Sequence, residues 1–142
     1  MSACMDLYNC EIVAHQMARR SVYELVVRML HVALSRTECT AGLIVHSDQG
    51  WHYKMQPNRA MLAQRGVNQS ISRKGNCFDN AVIENLFGTL KAEYLHLSSP
   101  SPSSVDELEA GVHDYVRYYN HERIKLRLKG LSSVESGLRN TA

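Results

Sequence analysis

Three consecutive apolar residues, Leu43, Ile44 and Val45, run directly into a polar turn, His46-Ser47-Asp48-Gln49-Gly50. A run this short, closed by a turn, reads as a strand buried on both faces, which belongs to folds where helices cover a sheet. Its end carries an acid, at the place where open α/β sheets put their ligands. A second acid, Glu84, follows after 35 intervening residues, and it opens a helix. Ile83, Leu86, Phe87 and Leu90 fall at i, i+3, i+4 and i+7, so that stripe faces a core. Glu84, Gly88 and Lys91 share a neighbouring stripe, leaving a carboxylate and an ammonium two turns apart with no side chain between them. That gap suits an approaching phosphate backbone. Taken singly, each of these residues is also a good solvated turn or helix residue; their conjunction is what informs.

The rest of the chain is mixed in the same way. Residues 4 to 8 and 11 to 17 are β-favouring runs broken at Asn9-Cys10, which predicts a hairpin. Ser21 and Glu24 form a capping box, and Val22, Leu25, Val26, Met29, Leu30 and Ala33 then mark one face of a helix to about Ser35. A second helix is expected from Pro57 to Arg65, stopped by Gly66, with a short strand over Val67 to Ile71. Ser72 to Asn80 shows no helical period and reads as a mobile loop. Asp79 or Asn80 is expected to cap a helix from Ala81 to about Tyr94. Ser98 to Ser104 is a short linker, and Ser104 with Glu107 caps a last helix reaching about Asn120, with Val105, Leu108, Val112, Tyr115, Val116 and Tyr119 expected along one face. The strand ending in Asp48 is set at 42–48, the Glu84 helix at 81–94, and a C-terminal helix with a basic tail at 104–142.

Composition narrows the class further. The chain has 142 residues, 44% apolar and 21% charged, which suits one globular domain. A net charge of +2 argues little, but Arg117, Arg123, Lys125, Arg127 and Lys129 crowd together with Glu122 as the acid among them. Cys4, Cys10, Cys39 and Cys77 form no Cys-x-x-Cys pair, which points away from zinc and toward reduced thiols. The absence of a long apolar run implies a soluble, cytoplasmic protein that does not enter a membrane.

At this point a family comes into view. The stretch from His46 to Tyr53, and that from Ser70-Ile71-Ser72-Arg73-Lys74-Gly75-Asn76 through Asp79-Asn80-Ala81 to Glu84 and Lys91, closely resemble the integrase core of IS3-type insertion-sequence transposases. Tyr118-Tyr119-Asn120-His121-Glu122-Arg123 and Lys129-Gly130-Leu131-Ser132 resemble the C-terminal signature of that family, and Asp6 to Val13 its second strand and hairpin, so that about 5–17 is expected to hold the second and third strands. The resemblance implies a ribonuclease H-like α/β fold, a mixed sheet flanked by helices. It implies metal-dependent cleavage and transfer of DNA strands, with three acids holding two Mg²⁺ or Mn²⁺ ions. By motif, Asp48 is the second acid and Glu84 the third, both catalytic and metal-binding. Lys91, Arg73, Lys74 and Arg123 are the expected DNA contacts.

The family pattern also places a first aspartate on a central strand ahead of Asp6, and residues 1 to 4 are too few to supply it. Asp6 matches a later position and is a poor substitute. The chain is therefore expected to be a partial core lacking its first, central strand, with two half-sheets and marginal stability as a monomer. Such a copy is expected to be inactive or impaired as a transposase. A non-catalytic DNA-binding or subunit-mixing inhibitor is the alternative, and a stand-alone nuclease a weaker one. Expected partners are DNA, at the element's terminal repeats and at its target, and further copies of itself or of an intact transposase. The location implied is the bacterial cytoplasm, on the nucleoid when DNA is bound.

Overall fold

The computed structural model describes the chain apart from residues 21, 22, 38, 39, 75, 76, 97–100 and 142, and the side chains of 77, 78, 140 and 141. The capping box expected at Ser21 lies outside the described residues. Strand β1 (Ser2–Met5) pairs antiparallel with β2 (Ile12–Gln16). The first strand is earlier than its expected span because Asp6 starts the turn, its Oδ1 accepting the Tyr8 N–H at 2.8 Å. Asn9 Oδ1 accepts the Glu11 N–H, and Cys10 takes a left-handed φ of 58° that reverses the chain. Helix α1 (Tyr23–Ser35) then buries Leu25, Val26, Met29, Leu30, Ala33 and Leu34, the face its periodicity predicts.

Strand β3 (Ile44–Ser47) is followed by a single-turn helix α2 (Trp51–Lys54), by α3 (Gln56–Gln64), and by β4 (Asn68–Ile71). β4 lies parallel to β3, with His46 opposite Ser70 and Ser47 opposite Ile71. Ile44 is 64% exposed, which corrects the expectation of a strand buried on both faces. The reason is one-sided cover. Val45 packs against the buried residues of α1 and α3, whereas the alternate residues Ile44 and His46 face outward. Among the described residues the strands form two separate two-stranded sheets, β1–β2 and β3–β4, rather than one mixed sheet.

A 3-10 turn (Cys77–Asn80) replaces the end of the expected loop and leads straight into α4 (Ala81–Leu90). Asn80 holds the N-cap position without a side-chain cap bond. Beyond Leu90 the helix widens into a π turn, Lys91–Leu95. Helix α5 (Val105–His121) begins as expected, Ser104 Oγ accepting the Glu107 N–H. The Glu107 carboxylate also accepts from the Ser103 N–H and hydroxyl, at 2.8 and 2.7 Å. Ile12, Leu86, Leu90, Val112, Tyr115 and Val116 close one core between β2, α4 and α5. The Asn120 side chain bonds both the N–H and the C=O of Ile12, at 2.9 and 3.0 Å, and so locks β2 onto α5.

The stretch expected as a basic tail is folded. It holds a 3-10 turn (Leu126–Leu128) and helix α6 (Ser133–Thr141). Ser132 and Glu135 cap α6 reciprocally: each side chain accepts the other residue's N–H, at 3.3 and 2.9 Å. Lys125 is buried, with its Nζ donating to Cys10 O and Ser133 Oγ and lying 3.7 Å from the centre of the Tyr119 ring. Burial pushes its pKa down to about 8.

Candidate functional site

Asp48 leaves the end of β3 exposed to solvent. Its Oδ1 accepts the Gly50 N–H at 2.7 Å, and this bond shapes the turn. Gly50 leaves room for this contact, since a Cβ there would stand 2.8 Å from the same Oδ1 and 3.3 Å from the Tyr53 ring and displace the carboxylate. Tyr53 is pushed upward in pKa, first by burial and also by the nearby charge of Asp48. Its helix α2 is tied to β4 by Gln69, whose Nε2 donates to Tyr53 O at 2.7 Å.

Both neighbours of Asp48 are held by β4's continuation. Ser47 O accepts from the Ser72 N–H at 2.9 Å and from the Ser72 hydroxyl at 3.0 Å. Gln49 Nε2 donates to Ser72 O at 3.0 Å, while Lys54 Nζ steadies the other end of that amide. Two residues before Asp48, His46 has Nδ1 2.9 Å from Ser70 Oγ and Nε2 3.2 Å from Ser72 Oγ.

Glu84 lies exposed in the first turn of α4, and Gly88 and Lys91 are exposed along the same stripe. A Cβ on Gly88 would meet nothing within 4 Å, so nothing in the chain itself requires a glycine there. Among the described residues neither Asp48, Glu84 nor Lys91 enters an ion pair. Lys74 is likewise exposed. Arg73 is not free: its N–H and Nε donate to Asp79 Oδ2 at 3.0 and 3.3 Å, and Nη2 to Oδ1 at 3.3 Å. That contact holds the Asp79 carboxyl below its usual range and ties Arg73 to the residue before Asn80. Arg123 is engaged too, bidentate on Glu93 with Nη2–Oε1 at 2.6 Å and Nε–Oε2 at 2.9 Å. Tyr115 donates to the same carboxylate at 2.8 Å. Arg123 pulls the Glu93 carboxyl down; burial first, then Glu93, pushes the Tyr115 hydroxyl up.

Two exposed carboxylates are hard oxygen donors of the kind Mg²⁺ and Mn²⁺ prefer, and such ions keep several waters when bound by one or two acids. Asp48 retains Oδ2, and Glu84 both oxygens. Among the described residues no group of three His, Cys, Asp or Glu stands close enough to hold an ion. Each of the two carboxylates is a donor of the chemical kind such an ion takes.

The model of a family described as Integrase core domain matches residues 1–77, and a second of the same description matches residues 84–136. The chain belongs to the integrase core family. Its kinship is with insertion-sequence transposases, as the motifs indicated. The integrase core is 42% identical over 135 residues to InsK of insertion sequence element IS150 from Escherichia coli K12, covering 95% of this chain and 47% of that protein. It is 44% identical over 134 residues to a transposase-like protein of Haemophilus influenzae, covering 94% of this chain and 61% of the relative. It is 30% identical over 143 residues to the transposase InsF of insertion sequence IS3A, again from Escherichia coli K12, covering 100% of this chain and 49% of the relative. The integrase core thus spans about half the length of InsK and InsF. No helix among its described residues is long and apolar enough to cross a membrane.

Sequence reading missed Ser72, His46, Asp79 and Glu93 as parts of the site's surroundings. The Ser72 and His46 contacts depend on the parallel pairing of β3 with β4, and Glu93 meets a partner 30 residues away. The spacing Ser132-x-x-Glu135 was a usable sign of α6.

Proposed function

We propose that this chain is a portion of a transposase catalytic core in which Asp48 and Glu84 hold a divalent ion, Mg²⁺ or Mn²⁺, for DNA cleavage and strand transfer. One observation carries this. Two exposed acids, outside any ion pair among the described residues, stand on a strand end and a helix start, one inside each of the two integrase core matches. When bound, the ion supplies Lewis acidity at a phosphodiester and a lowered pKa for attacking water or hydroxyl. The chain's own residues set the acids in place and admit the backbone of DNA. Lys91 and Lys74 meet phosphates directly. Arg73 adds its exposed guanidinium edge, and Arg123 stands at the margin, mostly committed to Glu93. The surface clear of side chains at Gly88 lets a phosphate approach between Glu84 and Lys91.

The first aspartate of the family lies, in this reading, on a strand pairing with the open edges of β1–β2 and β3–β4. Residues 1–142 alone then bind DNA and an ion but transfer strands poorly, and self-association or pairing with an intact transposase covers those edges. Duplex DNA bearing the terminal repeats of the chain's own element, incubated with the purified chain and Mn²⁺, tests both parts. The expected result is salt-dependent binding with weak nicking. Robust cleavage abolished by Asp48→Asn would overturn the impaired state. Absence of both DNA binding and Mn²⁺ binding would overturn the core assignment.

A further inference from the structure

We propose that Ser72 is the positioning residue that sets the two metal-holding acids relative to each other. This rests on the reading of Asp48 and Glu84 as ligands and goes beyond it. Ser72 is 5% exposed and follows the last residue of β4. A ladder bond from its N–H to Ser47 O would suffice to continue the pairing of β4 with β3. Its hydroxyl adds a second bond to the same carbonyl, and its own carbonyl receives Gln49 Nε2. Asp48 is thereby bracketed at both adjacent residues, and its carboxylate is fixed by the Gly50 N–H. The Asp48 peptide cannot rotate without breaking a bond to Ser72.

The other side of Ser72 leads to Glu84. Arg73 places three donors on Asp79, and Asp79 immediately precedes Asn80, the N-cap residue of α4. Glu84 sits in the first turn of that helix. A shift of Ser72 therefore moves both acids, one through Ser47 and Gln49, the other through Arg73 and Asp79.

His46 completes the arrangement. A hydroxyl has one proton, and Ser72 gives its own to Ser47 O, so Ser72 Oγ must accept from His46 Nε2–H. His46 Nδ1 stands 2.9 Å from Ser70 Oγ and anchors the other side of the ring. The ring fixes the Ser72 rotamer from the side facing solvent.

Mn²⁺ titration of the whole chain, read by water-proton relaxation beside a thermal melt, tests this. Ser72→Ala keeps the ladder bond and is expected to melt as the parent does while binding Mn²⁺ roughly 10-fold more weakly, the effect usual for groups that orient ligands. Ser72→Thr restores the hydroxyl and the affinity. Asp79→Asn, on the far side of the relay, weakens Mn²⁺ binding in the same way. Asp48→Asn is the reference and abolishes binding. If Asp48→Asn abolishes binding while Ser72→Ala binds as the parent does, the role of Ser72 falls and the metal site stands. If Asp48→Asn leaves Mn²⁺ binding intact, the metal site falls and Ser72 with it. A lowered melt with weakened binding that Ser72→Thr leaves uncorrected makes Ser72 merely structural and also overturns the proposal.

Discussion

At the end of α5, Arg123 sits 2.6 Å from Glu93 within reach of two tyrosines, and Lys125 is folded under Tyr119 and Ser133. At the end of β3 and the start of α4, Asp48, Glu84 and Lys91 are exposed and outside any ion pair among the described residues. Both regions are rich in charge, yet one spends it on holding elements together and the other keeps it available. The difference follows from burial. Charges removed from water must be paired or bonded to be tolerated, whereas charges left in water need no partner and can receive one from outside. A basic residue near a presumed nucleic-acid surface is therefore weak evidence until its partners are known. Arg123 and Lys91 look alike in sequence and are used differently in the fold.

The largest expected effect separates the regions by stability. Arg123→Ala leaves Glu93 and Tyr115 without their cation, and it should lower the unfolding free energy in urea by about 2 kcal/mol, less than a fully buried pair would because the groups are part-exposed. Asp48→Asn should change it by less than about 0.5 kcal/mol. Equal losses would break the comparison. Next, Gly88→Ala should raise stability by about 1 kcal/mol, since the added methyl meets nothing in the chain. If phosphate approaches there, the same variant should bind DNA more weakly. Stabilisation with unchanged DNA binding would remove Gly88 from the site.

A smaller effect concerns pH and lies between β2 and α5. His15 Nε2 stands 2.6 Å from His113 Nδ1, and burial first, then the charges of His113 and Arg36, lowers the His15 pKa from 6.5. The folded chain therefore takes up its proton later than the unfolded one as pH falls. Stability should be full above pH 6.5 and decline below it until the folded-state value is passed. His15→Gln should flatten that decline; an unchanged profile would assign it to other groups. Smallest in stability is Lys91→Ala, which should leave the melt unaltered yet reduce the salt slope of DNA binding by about 1.

How much of this was readable beforehand depended on the range of the interaction. The stripes of α1 and α4 repeat within a few residues, so Leu25 to Ala33 and Ile83 to Leu90 announced their faces, and with them the outward Glu84, Gly88 and Lys91. The cover over β3 is a matter of which helices pack on it, and Ile44 was misjudged for that reason. Helix α2 has four residues, too few to show a period, and the π turn at Lys91–Leu95 has no signature in the sequence. Asp48 was legible as a strand-end acid. Its bracketing by Ser72 was not, because that needs a parallel partner 24 residues on.

The most direct test of the contrast is a double-mutant cycle on Mn²⁺ affinity with Asp48→Asn, Glu84→Gln and the combined variant, all checked for an unchanged melt. If one ion is shared by the two acids, each single change removes most of the affinity and the double change adds little to either. Losses that simply add, or affinity that survives both substitutions, would contradict a common metal site.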